Sequence, residues 1–303
     1  MHASVLKYFA EVARSGSVRR ASENLHVAAS AVNRQILKLE DELGTELFDR
    51  LPGGMRLNSA GERLLRHVQI TLHDFQSVRT DLQALKGERT GHVKVAAMDS
   101  LFEDFLPLAV EEFSELFPAV TYTLTSTHPM EVAPMVLSGR VDAGIAFVAR
   151  LPAGLQAVAL AAMPLGVVMA PGHPFTAKKA VSLAECASQP FLRTGGQHVG
   201  ASVSDELAKF WDDLEPVATC NWTPMLKRLV MAGKGIALFS KIAFVDELRR
   251  GEVAWRPLSL PAAAQLKVGI VVPSQRTLPA VTQNFVGRMA RRLKQTELAT
   301  AAA

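Results

Sequence analysis

The sequence predicts an α + α/β protein, with a helical N-terminal region of about ninety residues followed by a longer α/β region. Three observations predict this fold class. Apolar residues recur at helical spacing through the first region, with only short polar or glycine-containing breaks. From residue 92 onward, short β-branched segments alternate with helical ones, which is typical of parallel α/β structure. The 303 residues are enough for about two domains.

Composition and charge limit the class of protein. Hydrophobic residues make up 49% and charged residues 20% of the chain, an ordinary globular balance that excludes a disordered or collagen-like protein. Cys186 and Cys220 are too few for a disulfide framework and suit a reducing compartment. Lys7, Glu11 and Arg14 interrupt the stretch where a signal peptide would be apolar, so we expect a cytoplasmic protein without a membrane partner. The net charge of +4 permits a polyanionic partner without requiring one.

The first two helices are predicted from apolar spacing and from the residues that separate them. The buried positions of the first helix recur every three or four residues: Val5, Phe9 and Val12. Gly16 ends this helix, and Ser17 is a good N-cap for a second helix over Val18–Leu25. In that helix, Ala21 is small enough for close contact with a neighbour.

A third helix is predicted over Ala29–Leu43 and is ended by Gly44. Its inward stripe is apolar and consists of Val32, Ile36, Leu39 and Leu43. Its outward face is polar and carries Ser30, Asn33, Arg34 and Lys38. Two helices joined by a short turn, with Ala21 where they approach, form a helix-turn-helix pattern, whose second helix enters the DNA major groove. The alternative is a solvated three-helix bundle with scattered arginines.

Charge is separated along this region. Basic residues open the second helix and flank the hairpin that follows the third helix: Arg19, Arg20, Arg50 and Arg56. Acidic residues gather at the far end of the third helix: Glu40, Asp41, Glu42 and Glu46. Asn can read adenine and Arg can read guanine, and either can instead hold a phosphate. This distribution favours double-stranded DNA as a partner.

The next segments predict a hairpin and a long helix. Residues 49–57 are rich in turn formers and indicate a small hairpin, after which Asn58 or Ser59 can cap a helix that runs to about Lys86. Its apolar positions alternate spacings of four and three, as in a coiled coil: Leu64, Val68, Thr71, Phe75, Val78, Leu82 and Leu85. A helix of this length would extend beyond a small domain, so we expect a partner helix to cover the seam. The dimerisation residues are predicted to be Leu64, Val68, Phe75, Val78 and Leu82.

Beyond a charged linker over residues 87–91, strands and helices alternate. Strands are predicted at residues 92–98, 120–125, 141–147, 165–170, 191–193, 216–220, 235–239 and 267–272. Helices are predicted at residues 101–117, 130–138, 203–211, 224–232 and 278–294. The last residues, 297–303, are expected to fray.

The segment from Leu6 to Leu65 resembles the LysR-type transcriptional regulators, in a long match without insertions or deletions. It comprises residues 8–9, 15–17, 21–27, 31–36, 39–44, 47–50 and 57–62. A weaker likeness continues through residues 139–142, 171–174 and 229–237, so that nearly the whole chain is covered. This match is far more specific than a generic helix-turn-helix.

The resemblance implies three parts. Residues 1–58 would form a winged helix-turn-helix DNA-binding domain, and residues 59–90 a dimerisation helix and hinge. Residues 91–303 would form a periplasmic-binding-protein-like effector domain, with subdomain I at about 91–163 and 268–295 and subdomain II at about 164–267. The implied function is that of a sequence-specific DNA-binding transcriptional regulator controlled by a small-molecule effector. The implied partners are further copies of the chain, in a homodimer or homotetramer, and RNA polymerase.

The resemblance, together with the residue pattern, assigns the DNA contacts. They are expected at Arg19, Ala29, Ser30, Asn33, Arg34, Lys38, Arg50 and Arg56. The chain departs from the family where relatives usually carry Ser or Thr, Gln and Pro, since it has Ala28, Ala29 and Ser30. Ala28 cannot supply a capping oxygen, which is worth about 1 kcal/mol where a cap matters. The operator sequence should therefore not be transferred from relatives.

Effector contacts are expected in the cleft at the carboxyl ends of strands, where helix N-termini present free N–H groups. The candidates are Ser100, Leu101, Thr127, His128, Arg193, Thr194, Asn221 and Thr223. The helix N-termini and Arg193 would suit an anionic ligand such as a small carboxylate. Alternatively, Ser100 and Thr223 only cap helices, and Arg193 belongs to a surface ion pair.

Motifs for other chemistry are missing from the sequence. We find no dinucleotide or phosphate-binding loop, no nucleophile elbow and no metal-ligand spacing among the eight histidines. We therefore expect neither an enzyme nor a cofactor, apart from a small-molecule co-inducer, and we expect inert cysteines rather than a redox switch. The rival hypothesis is a cytoplasmic small-molecule-binding protein or enzyme whose N-terminal helices only mediate assembly.

Overall fold

The computed structural model describes residues 3–85, 90–195 and 203–302 and divides into two compact units. The elements of the first unit are α1 (Ala3–Ser15), α2 (Val18–Leu25), α3 (Ala29–Leu43), β1 (Phe48–Leu51), β2 (Gly54–Leu57) and α4 (Ser59–Leu85). The predicted helices and hairpin are confirmed. Their ends are set by local chemistry: Arg20 N donates to Ser17 Oγ over 3.4 Å, and Gly16 and Gly44 both have a φ of 65°.

The first unit has an aromatic and aliphatic core. The rings of Phe9 and Phe48 lie 5.4 Å apart, and Val32, Ile36 and Leu39 of α3 are buried beside them. The prediction that Leu43 extends this stripe is wrong, because its side chain is 43% exposed. It is the last residue of α3, and the buried side chains that continue the core come from Leu47 and Phe48 instead.

The long helix α4 uses its apolar seam in two ways. Val68 is fully buried in the core of the first unit, and Leu64 packs against that core. The prediction that Val68 contacts a partner helix is therefore corrected, because its own unit already covers it, whereas Leu64 stays partly exposed. Phe75, Val78 and Leu82 are each more than half exposed. The side chain of Leu85 and the linker residues 86–89 lie outside the described residues.

The strands of the second unit are β3 (Gly91–Ala97), β4 (Val120–Ser126), β5 (Ala143–Phe147), β6 (Leu155–Ala162), β7 (Leu165–Met169), β8 (Leu192–Thr194), β9 (Ala218–Cys220), β10 (Ala237–Ser240), β11 (Ala254–Pro257) and β12 (Lys267–Pro273). The first sheet has the order β4-β3-β5-β12-β6, in which β3 is parallel to β4 and β5 while β12 is antiparallel to β5 and β6. The other strands form the antiparallel set β10-β7-β11 and the parallel pair β8-β9, which are together called the second sheet. A parallel bridge between Phe191 and Ile236 links these two sets.

Helices pack around both sheets. They are α5 (Phe105–Leu116), α6 (Pro129–Leu137), α7 (Leu183–Ala187), α8 (Asp205–Asp213), α9 (Thr223–Met231), α10 (Val245–Arg250), α11 (Pro261–Ala264) and α12 (Ala280–Ala302), with 3-10 turns at Asp99–Leu101, Pro174–Ala177 and Lys241–Ala243. The helix predicted from Leu101 begins instead at Phe105, after the first of these turns. The strand β6 was not predicted, because alanine has a low β-propensity and masks its alternation of buried and exposed positions.

The C-terminal end of α12 also differs from the prediction. The tail expected to fray from residue 297 is helical through Ala302. Glu297 accepts a hydrogen bond from Ala162 N at the end of β6, and Lys241 Nζ donates to the carbonyl oxygen of Thr300 over 2.7 Å. These contacts fix the C-terminal residues that were predicted to fray.

Candidate DNA-binding and effector-binding sites

The outward face of α3 is polar and accessible. Ala29, Ser30, Arg34 and Lys38 are exposed and Asn33 is partly exposed, on the side of the helix opposite its buried stripe. No side chain caps the N-terminus of this helix, because Ala28 has no acceptor. Among the described residues Arg34 makes no ion pair, whereas Lys38 Nζ lies 3.9 Å from Glu42 Oε1. An uncapped helix N-terminus and a guanidinium without an ion pair can both donate hydrogen bonds to phosphate oxygens or to acceptors on base edges.

Two of the other predicted DNA contacts, Arg19 and Arg56, form exposed ion pairs. Arg19 Nε lies 3.3 Å from Glu23 Oε1, and Arg56 Nη2 lies 3.3 Å from Asp49 Oδ2. Exposed pairs of this kind contribute roughly 0–1 kcal/mol, so phosphate oxygens can replace these carboxylates at little cost. Arg19 and Arg56 are therefore available to a polyanion, whereas Arg50 lies beside Glu40, a carboxylate whose side chain is only 10% exposed.

Glu40 was assigned by the sequence to an acidic cluster away from the DNA face, but it positions the hairpin. Its Oε1 accepts a hydrogen bond from Leu47 N over 2.8 Å, and its Oε2 lies 3.8 Å from Arg50 Nη2. The carboxylate thus connects the end of α3 to β1. Sequence spacing could not reveal this contact, because it depends on how the hairpin folds back.

The hairpin is also fixed to the turn between α1 and α2. Met55 N donates to the carbonyl oxygen of Gly16 over 2.8 Å. Gly54 has a φ of 138°, and a Cβ atom on it would lie 2.4 Å from that same oxygen. Only glycine fits at residue 54, which makes it a positioning residue for Arg50 and Arg56.

A cavity of about 400 Å³ lies in the second unit between its two sheets. Six of the eight predicted effector contacts line it: Ser100, Thr127, His128, Thr194, Asn221 and Thr223. The remaining wall adds further hydroxyl groups and apolar side chains, contributed by Ser126, Phe147, Leu165, Trp211, Leu238, Phe239 and Ser240. A cavity of this size and lining suits a small organic molecule.

Two predicted effector contacts do not line this cavity. Leu101 is fully buried in the core of the first sheet, because it ends a 3-10 turn that packs inward. Arg193 does not line the cavity. Its Nε donates to Thr219 Oγ1 over 3.3 Å and its Nη1 donates to the carbonyl oxygen of Trp211 over 3.4 Å. The guanidinium of Arg193, which was expected to bind an anionic ligand, thus donates to Thr219 and Trp211 instead.

The cavity wall contains a carboxylate that sequence reasoning missed. Asp99 Oδ2 accepts hydrogen bonds from Thr223 N over 2.9 Å and from Thr223 Oγ1 over 2.7 Å, and so occupies the N-terminus of α9. One turn further along α9, the buried Lys227 lies 2.5 Å from Glu103 and 3.0 Å from Glu247. Thr223 lines the cavity but, contrary to the alternative for its role, does not cap the helix: Trp222 is the N-cap residue, and Thr223 donates to Asp99.

Sequence and structure comparisons identify the family. Residues 4–62 match the model of the bacterial regulatory helix-turn-helix protein, lysR family, and residues 86–294 match the model of the LysR substrate binding domain. The chain belongs to the LysR family. It is a DNA-binding transcriptional regulator with an effector-binding domain, as the sequence predicted.

Relatives of this LysR-family regulator include the HTH-type transcriptional regulator CfxR of Cupriavidus necator, which is 31% identical over 253 residues, covering 82% of this chain and 78% of the relative. The transcriptional activator protein LysR of Escherichia coli is 23% identical over 292 residues, covering 94% of this chain and 91% of the relative. These relatives are named as regulators, not as enzymes.

Solved structures share the fold. Full-length OxyR from Pseudomonas aeruginosa superposes with a TM-score of 0.69 at 23% identity, covering 97% of this chain and 95% of that one. Full-length CbnR in complex with its target DNA gives a TM-score of 0.61 at 21% identity, covering 96% and 100%. The predicted fold class is thus confirmed over the length of the LysR-family chain.

The titratable groups of the regulator give further detail. His128 Nδ1 accepts a hydrogen bond from Met130 N over 3.3 Å, so this ring caps α6 while lining the cavity. Cys186 is buried, and burial raises the pKa of its thiol to about 12, which makes the thiol unreactive near neutral pH. Cys220 lines the cavity and is partly exposed. No cluster of metal-ligand side chains occurs within the described ranges, and no helix there is long and apolar enough to cross a membrane.

Proposed function

We propose that α3 reads operator DNA in the major groove through Ser30, Asn33 and Arg34, with Ala29 and Lys38 beside them. Arg19, Arg50 and Arg56 would contact phosphates. The observation that carries this proposal is the accessible polar face of α3, with an unpaired arginine and an uncapped N-terminus, opposite a fully buried stripe. The rival hypothesis, in which these helices only mediate assembly, would not require such a face.

The test is selection of genomic fragments by the purified full-length protein. We expect specific fragments to be retained, and the logarithm of the affinity to fall linearly with the logarithm of salt concentration, because phosphate contacts release counterions. Retention of no fragment at low salt would reject the proposal.

We infer that the exposed end of α4 pairs two copies of the chain. Phe75, Val78 and Leu82 supply an apolar strip that the first unit does not cover. Phe75→Glu is expected to abolish dimerisation in sedimentation velocity and to weaken DNA binding. Leu116→Glu, which changes an exposed leucine of α5 instead, is the matched control. An unchanged oligomer in the Phe75 variant would contradict the inference.

We further propose RNA polymerase as a partner and the cytoplasm as the location.

We propose that the cavity holds the effector that controls DNA binding. Cys220 in its wall provides a direct reporter, since Cys186 is buried and unreactive. Fractions of a small-molecule extract that change DNA affinity are expected to slow alkylation of Cys220 as well. A fraction that alters DNA affinity while leaving this alkylation rate unchanged would place the effector elsewhere.

A further inference from the structure

The described part of the cavity wall carries one carboxylate, that of Asp99. Among the described lining residues there is no lysine or arginine. Asp99 follows β3 of the first sheet, whereas its hydrogen-bond partner Thr223 begins α9 beside the second sheet. The carboxylate thus spans the cleft from one sheet to a helix on the other.

Asp99 occupies the place where an anionic ligand would otherwise bind. The N-terminus of a helix carries roughly half a positive charge and presents free N–H groups, which favours anions. At α9 the first N–H group and the Thr223 hydroxyl both donate to Asp99 Oδ2, over 2.9 and 2.7 Å. A second carboxylate placed here would find its donors taken and a like charge beside it in a partly desolvated site.

A second contact holds the same pair of elements together. Lys227, which is 3% exposed, lies 2.5 Å from Glu103 Oε2, and Glu103 follows Asp99 by four residues just as Lys227 follows Thr223. Glu247 completes the environment of this ammonium group at 3.0 Å. Two adjacent contacts, from Asp99 to Thr223 and from Glu103 to Lys227, thus fix the segment after β3 to α9.

We propose that Asp99 is the specificity-determining residue of the cavity: it excludes carboxylates, and the effector is an uncharged small molecule with an apolar body. Phe147, Trp211 and Phe239 offer apolar surface to such a molecule, and the hydroxyl and amide groups of Ser100 and Asn221 can orient it. This proposal rests on the proposed function of the cavity as the effector site. It replaces the anionic ligand expected from the sequence.

The test replaces the internal carboxylate by a soluble one. Asp99→Gly in the full-length protein is expected to lower the melting temperature, and acetate is expected to restore more than half of that loss, because acetate matches the deleted side chain. Chloride at equal ionic strength should restore none of it. Asp99→Asn keeps an oxygen near Thr223, so acetate should have no effect on that variant. If Asp99→Gly is recovered unfolded, circular dichroism during an acetate titration gives the same readout.

Two results would overturn the proposal. One is that acetate fails to restore Asp99→Gly in either readout. The other is that acetate or benzoate raises the melting temperature of the unchanged protein by an amount that Asn221→Ala abolishes, since this would place an acid in the intact cavity. Neither measurement involves DNA, so failure here is distinguishable from failure of the proposed regulatory function, which fragment selection tests separately.

Discussion

The N-termini of α3 and α9 form a contrast within one chain. At α3 no side chain caps the first turn, and the residues there are exposed. At α9 the first N–H group and hydroxyl are both bonded to Asp99, and Thr223 is buried. Both helix ends carry the same partial positive charge, yet one is left open and the other is filled. Under the two proposals above, the same local chemistry attracts a polyanion in one unit and excludes an anion in the other.

The uncapped end of α3 lies where we propose that DNA binds. A missing cap costs about 1 kcal/mol, a cost that a DNA-binding surface can recover when phosphate arrives. In the effector unit the cap comes from 124 positions earlier in the sequence, so it also ties two sheets together. The three predictions that follow test the two ends in turn.

The largest effect is expected at α9. Lys227→Met removes the cation between Glu103 and Glu247 and leaves two carboxylates with no counter-charge in a largely buried site. We expect the free energy of unfolding to fall by about 3–5 kcal/mol, measured by denaturant titration. Lys234→Met, at an exposed lysine just after α9, should change it by less than about 0.5 kcal/mol. Equal effects of the two variants would show that α9 is held by packing alone.

A smaller effect is expected at the open end. Arg34→Ala should lower the affinity for a selected operator fragment by about 1–3 kcal/mol, or about fivefold to 150-fold, because one bidentate base or phosphate contact is lost. Fluorescence anisotropy at fixed salt concentration measures this change. Arg14→Ala is the control, since Arg14 pairs with Glu11 on α1. An unchanged affinity for the Arg34 variant would remove α3 from the reading surface.

The smallest effect concerns the missing cap itself. Ala28→Thr and Ala28→Val have nearly the same shape, but only the threonine can accept a hydrogen bond from the first turn of α3. We expect the threonine variant to be more stable by about 1 kcal/mol in thermal or chemical unfolding. Equal stabilities would mean that the helix end is already satisfied in the free protein, and the contrast with α9 would disappear.

Local features of this fold could be predicted from the sequence. Gly16, Ser17 and Gly44 act on residues within one turn, so the end of α1, the start of α2 and the end of α3 followed from them. Six cavity residues were also anticipated, because side chains that follow parallel strands gather at one edge of a sheet. These inferences need only spacing and backbone chemistry.

Features that depend on distant contacts could not be predicted. Arg193 is held by Thr219 and Trp211, and Asp99 by Thr223, through pairings that no local pattern encodes. The seam of α4 was read as one surface, but its division at Val68 depends on how far the first unit extends along the helix. Strand β6 was missed because its alanines carry little β signal.

The contact between the Gly16 carbonyl and Gly54 has a consequence for engineering. Because hairpin and helices are joined where no side chain fits, the two DNA-facing segments form one preorganised frame that needs little ordering on binding. Substitutions at Asn33 or Arg34 would then change the base preference without moving the arginines that we propose contact DNA phosphates. Altered-specificity libraries can accordingly be confined to one turn of a single helix.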